Sequence, residues 1–315
     1  MNRGLAFFRE HTWAFVLLLV IVLLILNLVI SPSVFSVQRL PATLATLAPF
    51  VLVSFASTPQ ILGGGADISV GPLMVLVNCI FVAVLLPAGL GDLWISLPIL
   101  LLVAAGVGTI SGVLVTILRL NPLIATTAML FVVLGLAQTI AGRPASAPPN
   151  WTGALAGAIG FVPGAVVTMG AAALIWFGLT RTAYVRNLLA TGESDVSAYG
   201  SGVNVTVVRL LSYTLGGLFA GIGGIALSAF LQTSLANLAS TYALLGIAAA
   251  VLGGTSLAGG RGGLFGAFLG GLAIYLLQQL LTAAGVNPSL IQVSYGLILI
   301  IAVVLGATLL TSRKR

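Results

Sequence analysis

Residues 13–30 read WAFVLLLVIVLLILNLVI, running from Trp13 to Ile30 with Asn27 as the one polar side chain. A run this long and apolar, with Arg3 and Arg9 ahead of it, suits either a secretory signal or a membrane anchor. No small-residue cleavage site follows it. Ser31-Pro32-Ser33 ends the helix instead, so the run reads as the first anchor. Comparable runs recur at 43–62, 68–86, 94–118, 123–141, 161–179, 210–231, 242–257, 264–283 and 291–310. None alternates apolar with polar residues as a membrane barrel strand must, so the spans are helices. Pro49 and Pro59 interrupt the second run and predict a kinked or partly broken helix there.

Composition leads to the same place. Hydrophobic residues make up 59% of the 315, charged residues 5%, and the mean hydropathy is +1.22. A water-soluble domain is about 25% charged, because its surface must stay hydrated. Disorder, a disulfide scaffold and a coiled coil are excluded on the same figures. At about 20 apolar residues per crossing, the chain accommodates roughly ten helices and no sizeable soluble domain. The expectation is an all-α, polytopic membrane protein in which 1–315 form a single transmembrane domain.

Charge sets the expected orientation. With the N-terminus in the cytoplasm and one crossing per run, Arg3, Arg9, Arg119, Arg181, Arg186, Arg209, Arg261, Arg313, Lys314 and Arg315 face inward. Only Arg39 and Arg143 face outward, as the positive-inside rule requires, and both termini are then cytoplasmic. Basic residues scattered between apolar runs serve topology. They form no stripe for nucleic acid, and the net charge of +7 is read accordingly. Outside, 142–160 is rich in Pro, Ala and Gly, with Trp151 expected at the membrane interface. Inside, 181–209 is the one long polar segment and carries Glu193 and Asp195. A loop that long in so compact a chain points to a function.

Catalytic chemistry is not visible. The single His, His11, lies near the N-terminus and reads as an interfacial residue. The single Cys, Cys79, lies in an apolar run and reads as a buried small hydrophobe. There is no metal-ligand spacing and no paired carboxylate within a span. The phosphate-binding motif G-x-x-x-x-G-K-[ST] is absent, and Lys314 is the only lysine. No cofactor is therefore expected in this chain.

Glycine is the more informative residue. One cluster is Gly63-Gly64-Gly65-Ala66-Asp67-Ile68-Ser69-Val70-Gly71. A second is Gly253-Gly254-Thr255-Ser256-Leu257-Ala258-Gly259-Gly260-Arg261-Gly262-Gly263. Such clusters serve close helix packing and tight reversals, or broken helices beside a translocation path. Asp67 fits a cap on a helix beginning at Ile68, or a direct role in transport.

These stretches resemble the permease subunits of ribose-type ABC importers. Gly64-Gly65-Ala66-Asp67-Ile68-Ser69-Val70-Gly71 is similar to that family's G-G-I-D-L-S-V-G. Arg186, Ala190, Gly192, Ala198, Ser201, Gly202 and Val205 fall in register with its cytoplasmic loop motif. The stretch from Ala248 through Gly253, Gly254 and Thr255 to Gly259-Gly260-Arg261-Gly262 is similar to its most specific signature. The resemblance covers the chain from about residue 40 onward.

It implies the permease fold, with two pseudo-symmetric halves, in the bacterial inner membrane. It also implies two permease copies, identical or related, and a periplasmic binding protein that delivers a small polar solute, a monosaccharide such as ribose. Separate ATPase subunits would bind the ATP and Mg and supply the energy. On this reading, Arg186, Leu188, Leu189, Gly192, Glu193, Asp195, Ser201 and Gly202 belong to a short helix that docks into the ATPase. Leu188 and Leu189 would be its apolar anchors. Gly64, Gly65, Asp67, Ser69, Gly71, Gly253, Gly254, Gly259, Gly260 and Arg261 would form the structural or translocation motif. A branched-chain amino acid or nucleoside permease is the alternative within the superfamily. An ion-coupled secondary transporter is the alternative outside it, and only Asp67 offers such a carrier an ionisable group within the membrane.

Overall fold

The computed structural model describes residues 13–287, 289–297 and 300. Arg3, Arg9, His11, the end of the 291–310 run and the tail Arg313-Lys314-Arg315 lie outside the described residues. The helices are α1 Ala14–Ile30, α2 Leu40–Leu62, α3 Val70–Ile80, α4 Leu93–Thr116, α5 Pro122–Ile140 and the short α6 Thr152–Ala156. Then come α7 Gly164–Thr180, α8 Ala183–Glu193, α9 Asp195–Gly200, α10 Val205–Leu231, α11 Ala239–Leu252 and α12 Leu264–Ala283. A π-turn over Phe81–Leu85 prolongs α3, and residues 289–297 are helical, with Tyr295 packed against the core. The antiparallel pair β1 Ala158–Ile159 and β2 Val162–Pro163 is the only sheet among the described residues.

Every apolar run within the described residues forms a helix, because in hydrocarbon the backbone must satisfy itself. The helices differ in reach. Five of them (α2, α4, α5, α10 and α12) are long and apolar enough to cross a membrane. A sixth crossing is reached if α7 and α8, bent by 83° at Arg181 and Thr182, count as one broken span. α1, α3 and α11 are shorter. The run 242–257 stops being helical at Gly253, and Phe161 falls in the hairpin turn ahead of α7.

At the centre, α2 packs against α10, α11 and α12. Despite Pro49 and Pro59 it is one continuous helix, buried at every position from Leu47 to Leu62. It is not broken, and the helices packed around it are what makes both prolines tolerable. α4 crosses α10 through small residues: a Cβ at Gly108 would come within 2.9 Å of Gly217 Cα. Backbones this close maximise dispersion contacts where lipid offers no hydrophobic driving force. α1 runs parallel to α12: Trp13 meets Phe265 edge-on at 5.4 Å, and the Asn27 amide donates to the Leu276 carbonyl at 2.9 Å.

Two arrangements sort the ends of the bundle. Arg209 donates to the Gly63 carbonyl and pairs with Asp195, Arg261 pairs with Glu193, and Arg119 shares a cavity wall with Arg209. Arg181 and Arg186 flank the start of α8 at the same basic end. Arg39 and Arg143 belong to the opposite end, where the 145–152 segment bonds to Gln232, Thr233 and Ser234 at the finish of α10. There half-buried Trp151 is tied to the bundle: its ring lies 5.6 Å from Phe81 and its Nε1 donates to Ser96 at 3.0 Å.

The close crossing of α4 and α10 is testable. Gly217→Leu drives a side chain into the Ala104 carbonyl, whereas Gly135→Leu enters open space. Gly217→Leu should cost about 1–3 kcal/mol, and Gly135→Leu little. Thermal unfolding in detergent measures the difference.

Candidate functional site

α2 ends at Leu62 because Gly64, at φ +78°, turns the chain back under the helix. The Gly64 N–H bonds to the Ile61 carbonyl at 3.0 Å and the Gly65 N–H to Gln60 at 2.9 Å. The next helix does not start at the same level. Met74 lies against Gly223, and the Asn78 amide donates to Ser228 at 3.0 Å, which sets Val70 opposite the middle of the 27-residue α10. Residues 63–69 therefore enter the bundle as non-helical chain. Such chain is tolerated at that depth only when protein surrounds it. Ile68 packs on Ile61, Ile247, Ala250 and Val251.

Asp67 fixes this segment. It is buried, and its Oδ1 accepts from the Ser69 N–H at 2.8 Å and the Ser69 hydroxyl at 2.6 Å. The expected cap on a helix starting at Ile68 is thus displaced. The helix starts at Val70 behind Ser69, and Asp67 braces the residue in front of it. Asp67 closes an Asx turn over 67–69 through the Ser69 N–H, a local bond of the kind that competes with helix. Asp67 Oδ2 has no partner among the described residues, nor does either polar atom of the Gln60 side chain. Gly71 sits where a Cβ would strike the Tyr242 carbonyl, so α3 and α11 meet backbone to backbone at their first turns. Gly65 faces the Tyr213 hydroxyl.

The second glycine cluster reverses the chain between α11 and α12. Gly254, Gly259, Gly260 and Gly262 all have positive φ, and Gly253 lies against Gly266. The Gly260 N–H bonds to the Leu62 carbonyl at 3.0 Å, so the two clusters are joined through their backbones. Gly192, near the end of α8, closes the junction. A Cβ there would strike the Leu62 carbonyl and reach 2.5 Å from the Gly260 nitrogen. The three motifs, far apart in the chain, thus meet at one point.

The 181–209 segment is two helices, α8 and α9, joined at Ser194, whose hydroxyl caps α9 through the Ser197 N–H at 3.3 Å. Leu188 requires a correction. It is fully buried, with Cδ1 packed over Gly63, and so cannot anchor a partner. It seats α8 on the end of α2, as does half-buried Leu189 in part. A Leu188→Asp substitution would place a carboxylate in the protein's own interior and disrupt the fold. Arg186, Glu193 and Asp195 are exposed. Asp195 takes a bidentate pair from Arg209 at 2.6 and 2.7 Å, and Glu193 faces Arg261 at 3.8 Å. Ser201 bonds locally to Ser197, and Gly202 at φ +84° ends α9. Sequence reasoning missed Val196 and Tyr199. They are 84% and 76% exposed on α9, and their spacing of three residues on a polar helix was the available signal. It also missed Arg209, which clamps the Gly63 carbonyl at 2.9 Å as well as Asp195.

The sequence is similar to those of known transport proteins. Residues 39–304 match the family described as branched-chain amino acid transport system / permease component. The ribose import permease protein of Escherichia coli (strain K12) is 30% identical over 95% of this chain and 93% of its own. That of Bacillus subtilis (strain 168) is 33% identical over 90% of this chain and 89% of its own. The fructose import permease protein of Rhizobium meliloti is 32% identical over 91% and 82%. No solved structure matches.

The glycine junction makes a sharp expectation. Gly260 has φ +71° and its Cβ position lies 2.9 Å from Glu193, so Gly260→Val strains the turn and pushes α8 off its seat. Limited proteolysis should then cut within 181–209 while the rest of the bundle stays protected. An unchanged digestion pattern would refute the junction as the seat of α8.

Proposed function

The chain belongs to the branched-chain amino acid transport system / permease component family, and from that premise we propose that it forms the translocation pathway of an ABC importer for a monosaccharide such as ribose. The observation that carries this reading is the near full-length similarity to ribose import permeases from two distant bacteria. The family's description favours a second reading, branched-chain amino acids, but the full-length relatives named above import sugars. The chain's own features suit a passive subunit. It holds no phosphate-binding loop, and the exposed ends of α8 and α9 at the basic end are free to receive a separate ATPase. Two copies or two related chains would enclose the path, and a periplasmic binding protein would deliver the solute to the opposite end.

The basic end is cytoplasmic on this reading, with both termini on that side. α8 transmits force to α2 through Leu188 and the glycine junction, while α9 presents Val196 and Tyr199 to the ATPase. These two, not Leu188, are the apolar contacts that nucleotide-driven closure would grip, and Arg209–Asp195 holds their helix in register.

The test is uptake into vesicles carrying the chain with its ATPase and binding protein. Labelled ribose should accumulate only with ATP, and leucine should not. Leucine transport without ribose transport would overturn the sugar reading in favour of the second one. In the same assay Val196→Asp with Tyr199→Asp should leave the chain inserted and thermally stable while cutting ATPase co-purification and uptake by about tenfold or more.

A further inference from the structure

At the end opposite the basic one, a single stretch of coil, residues 145–152, holds three helices together. Its backbone pairs with the chain leaving α10. Ser146 bridges Thr233 antiparallel, the Ala147 N–H donates to the Gln232 carbonyl at 2.9 Å, and the Ser234 N–H donates to the Ala145 carbonyl at 3.0 Å. Trp151 then reaches Phe81, where α3 gives way to its π-turn, and Ser96 of α4. α3 is tied to the same place a second time, since the Asn78 amide donates to the Thr233 carbonyl at 3.2 Å.

Gln232 is the centre of this arrangement. It is one of two non-glycine residues with positive φ among the described residues, at +48°. An L side chain holds that conformation only where its surroundings impose it. Here its own hydrogen bonds do so. Nε2 donates to the Thr152 hydroxyl and to the Ser228 and Ala229 carbonyls, each at 3.1 Å, and Oε1 accepts from the Asn150 amide at 3.2 Å. A glycine would make the turn without strain, but it could hold neither Asn150 nor Thr152. The joint is therefore one that can be undone. Release relieves the strained backbone, and water can take over the bonds of the polar side chains. The π-turn at Phe81 gives α3 an irregular segment at the same level, a feature that recurs at functional sites.

We propose that residues 145–152 form a releasable strap over the outer end, with Gln232 as its latch, and that solute enters only after the strap lets α3, α4 and α10 part. The inference rests on the transport reading above, which puts the entry of the solute at this end. Gln232 is a positioning residue, because it acts through Asn150 and Thr152. A disulfide locks the strap. Ser146 and Thr233 face each other across the bridge, and paired antiparallel Cα atoms stand about 4.5–5.5 Å apart, within disulfide range. The locked chain carries Cys79→Ala, Ser146→Cys and Thr233→Cys, and is placed in vesicles with its ATPase and binding protein. Oxidation should cut ATP-driven uptake about tenfold or more, and reductant should restore it. Equal uptake in the oxidised and reduced forms would make the segment a fixed brace and overturn the proposal.

A second readout needs no solute. Ser234 is fully buried, and its hydroxyl accepts from the Ala145 N–H at 3.1 Å. Ser234→Cys, in the same Cys79→Ala chain with its ATPase, is labelled with a membrane-impermeant maleimide. Labelling should quicken about tenfold with ATP, and Gln232→Ala should quicken it by a similar factor without ATP, through loss of the bonds to Asn150 and Thr152. Labelling unchanged by ATP would overturn the release, and labelling unchanged by Gln232→Ala would overturn the latch. If the reduced form imports no solute while labelling responds to both, the transport reading fails and the strap stands.

Discussion

The hydrogen bond from the Gly260 N–H to the Leu62 carbonyl constrains most of what surrounds it. A backbone-to-backbone bond between two loops requires both chains to approach without side chains between them. That explains why the junction is glycine from three directions: a Cβ at Gly192 or Gly259 would collide, and Gly64 turns the chain at φ +78°. The bond also takes up a carbonyl orphaned at the end of α2, which at this level would otherwise cost a desolvation penalty of about 1–3 kcal/mol. Once α2, α8 and the 253–263 reversal are tied at one point, displacement of α8 must move the end of the central helix with it.

The second constraint follows from where the helices stop. α3 and α11 are both shorter than a full crossing, and their first turns meet at Gly71 and Tyr242. A chain that breaks its helices in hydrocarbon must find partners for the freed backbone. Here the 63–69 segment finds them in Asp67, Ser69 and the α2 terminus. The same break leaves Asp67 Oδ2 and the Gln60 amide without partners. Unpaired polar groups at this depth are costly, so these two mark where the packing is least satisfied.

The helical membrane class, the positions of the apolar runs and, among the described residues, the sorting of the arginines to two ends were legible, because hydropathy and charge are local properties. Each of the three glycine-containing motifs could be found by eye as well. That they converge could not be read, because Gly64, Gly192 and Gly260 are separated by long stretches of chain and only tertiary structure brings them together. Span length misled at 242–257, where the apolar run continues past Gly253 while the helix does not: composition reports transfer into lipid, and the helix end is set by φ at Gly254. The contacts of Trp151 were hidden for a related reason. An indole at a membrane boundary and an indole pinned to Phe81 and Ser96 look the same in sequence.

Leu188 and Val196 show why an amphipathic pattern alone does not locate a docking surface. Both are apolar residues in a polar segment, and both could face a partner. The 83° bend between α7 and α8 decides between them, since it lays α8 across the end of α2 and turns Leu188 onto Gly63. Ser194 then redirects the chain, and α9 leaves that surface with Val196 and Tyr199 outward. The segment therefore divides its work by helix: one is part of the bundle and moves with it, while the other is held by the Arg209–Asp195 pair, its own caps and the one buried side chain of Ala198. Such a pair at the surface contributes about 0–1 kcal/mol, so α9 can adjust to a partner while α8 carries the displacement inward.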